Sequence, residues 1–225
     1  MYVKIAWRNI WRNKRRSFIT IGSITFAVLL ACVMRSMQLG SYDRMIKNAA
    51  ELYTGYIQVH KNGYWDEKII DNSFVWDKEL LDNIENTQGV NSAVPRVESF
   101  ALASFDGKTK GGMVLGIDPE REHGLTKIKD KIVEGNYLDK EDEGAIVSEG
   151  LAKYLKIDIG DTLVLIGQGY HGANAAGLFA VKGIAKFPSP AQNNQTIFIS
   201  LGSAQWLYAM PDQITSLALV VDKAK

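Results

Sequence analysis

Few side chains in this 225-residue chain have both the type and the spacing to do chemistry. "GQGYHG" (Gly167 to Gly172) matches the dinucleotide fingerprint G-x-G-x-x-G letter for letter. That fingerprint works where a strand turns into a helix whose N-terminus holds a pyrophosphate, with an acid about 20 residues on. Here a strand pattern follows the glycines and the next acidic residue is Asp212, so a hairpin loop is expected instead. His60, His123 and His171 are far apart with no metal-ligand spacing, and no H-E-x-x-H occurs. "DKEDEG" (Asp139 to Gly144) lacks the pattern of a calcium hand and reads as a solvated turn. Neither a G-x-x-x-x-G-K-[ST] loop nor a G-x-S-x-G elbow is present. The residues therefore predict no enzyme, no metal and no cofactor.

The elements that would carry these residues read as mixed α and β. Alternation marks Gly55 to Lys61 as a strand. "DKELLDNIENTQG" reads as a helix capped by Asp77, with Leu80, Leu81 and Ile84 inward and Gly89 as its stop. Val94 to Phe105 and Gly112 to Ile117 read as a hairpin about Asp106-Gly107. Ser148 to Leu155 suggests a helix that Ser148 can cap. Ile159 to Gly167 and Gly177 to Phe187 look like strands flanking the glycine-rich loop. A strand (Thr196 to Ser200), a helix (Leu201 to Met210) and a last strand (Ile214 to Val221) close the chain. The fold class expected is α+β, largely antiparallel, with no repeating βαβ unit.

Ahead of this domain lies a different kind of sequence. Ser17 to Met34 is 18 residues without a charge, about 27 Å as a helix and close to the hydrocarbon thickness of a bilayer. The span extends to Leu39 if Arg35 snorkels its guanidinium toward the head groups. Lys4, Arg8, Arg12, Lys14, Arg15 and Arg16 precede the run, and no acid occurs before Asp43. Short basic flanks stay cytoplasmic, so the N-terminus is expected inside and Ser41 onward outside. On a helix, Val3, Ala6, Trp7, Ile10 and Trp11 gather opposite Lys4, Arg8, Arg12, Arg15 and Arg16, with Ile5 and Lys14 breaking the pattern. This reads as an interfacial amphipathic helix with tryptophans down and arginines toward anionic lipid; the alternative is an unstructured basic flank. The run is too long for a cleaved signal peptide, and Cys32 reads as a small residue inside the span rather than a lipidation site. The organisation expected is a basic segment (1–16), a span (17–39), a stalk helix (40–54, Ser41 to Tyr53 at its heart) and an external domain (55–225).

Seven of the 26 basic residues lie at or before Arg35, leaving 19 against 25 acidic ones and a net charge of −6 over 41–225. Such a domain has no general attraction for nucleic acid. With a single cysteine it has no internal disulfide to rely on.

Three stretches carry a family resemblance. Ala6, Arg8, Asn9 and Ile10, then Arg15, Arg16 and Ser17, resemble the opening of the MacB/FtsX-type ABC transporter permeases. Gly116, Ile117, Asp118 and Pro119, followed by Gly135 and Leu138, resemble a segment of that family's periplasmic core domain. Ile146, Val147, Leu151, Ala152, Leu155, Gly160 and Asp161 resemble a third block of it, and "GYIQVHKNGY" is closer to the lipoprotein-releasing branch than to macrolide efflux. The resemblance implies a bacterial inner-membrane permease whose motion is driven by a separate cytoplasmic ABC ATPase. It further implies a second permease copy or paralogue, and a lipoprotein or another envelope protein as cargo. Family members continue through three further spans, so the chain is expected to be the N-terminal segment of a longer permease. Trp7, Arg8, Trp11, Arg12, Arg15, Arg16 and Arg35 are the candidate membrane-interface residues. "GQGYHGANAAG", with Gly167, Gly169, Tyr170, His171 and Gly172, is the candidate cargo or partner loop, its composition suiting a mobile contact. A single-span binding or sensor ectodomain is the competing reading.

Overall fold

The computed structural model describes residues 2–49 and 57–221 and divides into two units, Met1–Lys47 and Asn48–Lys225.

In the first unit, α1 (Tyr2–Arg12) and α2 (Lys14–Ala49) are separated by Asn13 alone. The basic segment is thus helical as far as Arg12, and a turn at Asn13 sets it off from α2. Lys14–Tyr42 is long and apolar enough to cross a membrane. The helix continues through Arg35, which donates from Nη1 to Gln38 Oε1 at 3.3 Å, and is described as far as Ala49. The hydroxyls of Thr20 and Ser23 donate to the carbonyls of Arg16 and Ile19 four residues back (3.0 and 2.8 Å), which hides their polarity inside an apolar run. Residues 50–54 of the expected stalk lie outside the described residues.

The second unit contains β1 (Ile57–Val59), α3 (Tyr64–Glu67), β2 (Phe74–Val75), α4 (Lys78–Glu85), β3 (Val90–Phe105), β4 (Lys108–Ile117), α5 (Pro119–Thr126), β5 (Ile132–Gly135) and β6 (Ala145–Ser148). It continues with α6 (Glu149–Leu155), β7 (Thr162–Gln168), β8 (Asn174–Ala185), α7 (Pro190–Asn193), β9 (Thr196–Ser200), α8 (Leu201–Leu207), β10 (Gln213–Ile214) and β11 (Ser216–Val221). β3 and β4 pair antiparallel from Arg96–Ile117 to Phe105–Lys108. Their turn puts Asp106 at φ 45° and Gly107 at φ 75°, the left-handed pair that a two-residue hairpin requires.

Hydrogen bonding closes a ring: β3–β4–β9–β6–β8–β7 and back to β3. Two of its contacts, β4–β9 and β6–β8, are parallel and the other four antiparallel. The period-two alternation of each strand decides what lies inside. Val97, Ala101, Val114, Val147, Leu163, Leu165, Phe179 and Ile197 form one buried cluster, completed by Leu151 and Leu155 of α6 and Leu207 of α8. The opposite faces of β4, β6 and β9 present Leu115, Ile146 and Phe198 to Ile128, Leu138 and Phe187. β11 and then β1 extend the sheet beyond β3, where Ala93, Leu217 and Leu219 pack under Leu81 and Ile84 of α4.

Several sequence expectations shift in detail. Asp77 caps α4 as expected, its Oδ1 accepting from the Leu80 amide at 2.7 Å. α4 stops at Glu85 with Asn86 as its C-cap, and Gly89 (φ 91°) instead turns the chain into β3. Ser148 sits at the N-cap of α6 but does not cap it: its hydroxyl accepts the Thr196 amide across to β9 at 3.2 Å. The last strand is interrupted at Thr215, whose hydroxyl accepts the Glu98 amide at 2.7 Å.

One feature had no sequence signature. Arg96 and Glu122 are almost fully buried and form a bidentate pair between β3 and α5, at 2.8 Å from Nε and 2.7 Å from Nη2. Thr126 adds a hydroxyl donor to Glu122 Oε1 at 2.8 Å, so the buried carboxylate is met by several donors.

Candidate functional site

The predicted loop begins where β7 leaves the ring. Gly167 and Gln168 belong to β7 and Asn174 to Gly177 to β8, paired Gly167–Ala175 and Gln168–Asn174. Only residues 169–173 lie off the strands. They form a tight tip held from both ends: the Gly169 amide donates to Ala173 O at 2.7 Å and the Tyr170 amide to Tyr208 O at 2.8 Å. Gly169 is required by close approach, since a Cβ there would lie 2.7 Å from the Tyr208 carbonyl oxygen. The tip is fastened again at His171, whose amide donates to Asp71 Oδ1 at 2.6 Å. A mobile loop over Gly167 to Gly177 is therefore corrected to a short pinned tip. Composition suggested mobility because glycine and alanine leave side chains little to pack, whereas here the backbone supplies the anchors.

The named residues separate accordingly. Gly169 is buried, Tyr170 packs its ring against the ring-strand core, and His171 and Gly172 are exposed. The Tyr170 and His171 rings lie 3.9 Å apart. A strand, not a helix, follows the tip, so the fingerprint glycines have no helix N-terminus to offer a pyrophosphate.

Sequence reasoning missed the outer face beside this tip. Leu102 of β3 and Ile166 of β7 are direct cross-strand partners and both are half exposed. Phe100 and Leu178 flank them on the same outward parity, at 60% and 69% exposure. Leu178 then lines a groove with Trp206 of α8, rimmed by Lys140, Glu141 and Glu143. The available signal was apolar residues on both parities of "FALASF" and "TLVLIG", which read simply as strands. Asp142, inside the acidic stretch, is pinned rather than free. It accepts from the Asp139 amide at 2.9 Å and pairs with Lys182, and those contacts hold its carboxyl below the ordinary range.

The histidines are not brought together. The ring nitrogens of His60 lie 2.9 Å from Thr215 O and 3.0 Å from Gln58 Oε1, His123 sits by Tyr137, and His171 is 4.0 Å from Asp71. Among the described residues no group of three or more His, Cys, Asp or Glu could hold a metal ion.

The membrane-interface candidates lie in the first unit. Trp7 and Trp11 are one turn apart on α1 with ring centroids 6.3 Å apart, and Lys14 Nζ is 5.2 Å above the Trp11 ring. Arg8, Arg12, Arg15, Arg16 and Arg35 are all exposed.

In chain order, a helix long and apolar enough to cross a membrane is followed by an α+β domain of largely antiparallel strands. Residues 17–225 match the family described as MacB-like periplasmic core domain, and the chain belongs to that family. It is similar to the lipoprotein-releasing system transmembrane protein LolC of Neisseria meningitidis serogroup B, at 26% identity over 223 residues. That alignment covers 92% of this chain and 50% of the relative, so the chain spans about half of the relative's length. The fold resembles the periplasmic region of MacB from Actinobacillus actinomycetemcomitans, with a TM-score of 0.52 at 12% identity over 75% of this chain and 74% of that one. The extracellular domain of the noncanonic ABC-type transporter YknZ from Gram-positive bacteria aligns over 68% of this chain and 75% of that one, with a TM-score of 0.49 and 14% identity. The α+β, largely antiparallel fold expected from sequence is the fold found.

Proposed function

We propose that this chain is the N-terminal span and external core domain of an ABC transporter permease. Its N-terminus lies in the cytoplasm and its main domain outside the inner membrane. Residues 1–16 rest at the cytoplasmic interface, 17–39 cross the bilayer, 40–54 form a stalk and 55–225 engage cargo. Closure of a separate ABC ATPase, acting through this permease and a second copy or paralogue, moves the external domain against a lipoprotein or another envelope protein. ATP hydrolysis belongs to the ATPase subunit. The observation that carries this reading is an order along one chain: six cations, an uncharged 18-residue run, then a MacB-like core domain. The pinned tip, with exposed His171 and Gly172, and the Leu178–Trp206 groove are the contact surfaces this reading favours.

The test is purification of the tagged product from its native membrane in mild detergent, with companions identified by mass spectrometry. A stoichiometric P-loop ATPase supports the permease. Recovery without any ATPase overturns it in favour of a single-span binding ectodomain.

A further inference from the structure

Two recesses of opposite character lie at the bend between α1 and α2. One is lined by Arg12, Asn13, Lys14, Arg15 and Arg16, with Ile19 and Thr20 below them. The other is lined by Trp7, Trp11, Phe18 and Ile21, with Ser17, and its surface is almost wholly apolar. Lys14 borders both.

The charge on the first face has no answer within its own unit. Four cations, Arg12, Lys14, Arg15 and Arg16, occupy positions 12 to 16 on either side of Asn13. Among the described residues, no carboxylate forms an ion pair with any of them. The first acid in the sequence is Asp43, roughly 40 Å farther along α2 at 1.5 Å per residue. That is several times the ~8 Å screening length of physiological salt. A fixed anion paired with these side chains would come from outside this helix pair.

Chemistry narrows the anion. Guanidinium forks match phosphate oxygens in bidentate geometry. The neighbouring cleft offers aromatic and aliphatic surface, and α2 is long and apolar enough to place this bend at a bilayer boundary. A ligand complementary to both faces carries a phosphate on an acyl chain. We propose that the bend between α1 and α2 seats an anionic phospholipid, with its phosphate held by Arg12, Arg15 and Arg16 and its chain in the Trp7–Trp11–Phe18–Ile21 cleft. Lys14 stays over the Trp11 ring between them. The proposal rests on α2 being a membrane span, and it adds a defined lipid site to that reading.

The test uses the full chain in phosphatidylcholine vesicles carrying dibrominated phosphatidylglycerol or, at equal mole fraction, dibrominated phosphatidylcholine. Bromine quenches nearby tryptophan, and a Trp7→Phe/Trp11→Phe variant identifies the emission that arises at the bend. The expected result is a roughly tenfold preference of the bend for phosphatidylglycerol, whose phosphate, unlike that of phosphatidylcholine, has no choline cation competing with the guanidinium forks. It should fall to parity in Arg12→Gln/Arg15→Gln/Arg16→Gln. Arg12→Lys/Arg15→Lys/Arg16→Lys keeps the charge but loses the forks, and should lose most of the preference. Equal quenching of the wild type by both lipids overturns the seat. So does full preference in the lysine variant, which marks diffuse attraction. No quenching by either lipid would instead remove the membrane span itself, and the seat with it.

Discussion

At the scale of single residues, the buried pair Arg96–Glu122 ties β3 to α5 within the core domain. Removing Glu122 takes both bonds of the bidentate pair from an Arg96 that is about 1% exposed, leaving Glu98 Oε1 at 4.0 Å from its Nη1. Glu122→Gln should therefore destabilise the domain by about 3 kcal/mol or more, whereas Arg96→Met/Glu122→Leu should cost less than either single change. Thermal unfolding followed by circular dichroism measures both, and an additive double variant would contradict the argument. Asp142 gives a pH dependence of known sign. The Asp139 amide, and then Lys182, lower its folded pKa, so its contribution is present above the unfolded carboxyl value. It is lost as the pH falls below about 4 and through the folded pKa. Asp142→Asn should flatten this acid limb and leave stability near pH 7 comparatively flat with pH; melting curves from pH 2 to 7 decide.

At the scale of elements, turns and caps divide into those that chemistry announces and those that neighbours reassign. Asp106-Gly107 belongs to the first kind, because both positions have positive φ and sequence alone suggests the turn. Gly107→Ala should cost about 1 kcal/mol through backbone strain, with no change in the fold detected by amide spectra. Ser148 belongs to the second. Its position announces a cap, but the Thr196 amide of β9 reaches its hydroxyl instead. Ser148→Ala should consequently leave that buried donor unmet, at about 1–3 kcal/mol, and raise hydrogen exchange at Thr196 more than in the first turn of α6. The glycine-rich tip follows the same logic. Its exposed composition is visible in the letters, but its anchors at Tyr208 and Asp71 are 38 and 100 residues away in sequence and are not.

For the whole molecule, the decisive arrangement is the closed ring of six strands with one outer face covered and another bare. α6 and α8 complete the inner cluster, while the strand faces at Leu115, Ile146 and Phe198 are covered by Ile128, Leu138 and Phe187. Among the described residues of the second unit, Phe100, Leu102, Ile166 and Leu178 receive no such cover. If this face meets envelope cargo, Trp206→Ala should fold normally, because the indole is 70% exposed, yet weaken crosslinking to a co-purified partner severalfold. Unchanged crosslinking would remove the face from the contact. Orientation is checked separately: in a Cys32→Ser background, a cysteine replacing exposed Lys140 should react with an impermeant maleimide from the periplasmic side only.

Sequence alone determined what depends on neighbours along the chain. An 18-residue uncharged run behind six cations, a left-handed Asp-Gly pair between alternating strands, and Asp77 ahead of an apolar period are each local statements of solvation or backbone geometry. They sufficed for the long apolar helix, the hairpin, the capped helix and the fold class. Ring closure, the Arg96–Glu122 pair, the pinning of the tip and the bare apolar face needed the tertiary structure. Each depends on residues far apart in sequence meeting at hydrogen-bond or van der Waals distance. Alternating apolar strands read the same whether a third element covers their outer face or leaves it to solvent.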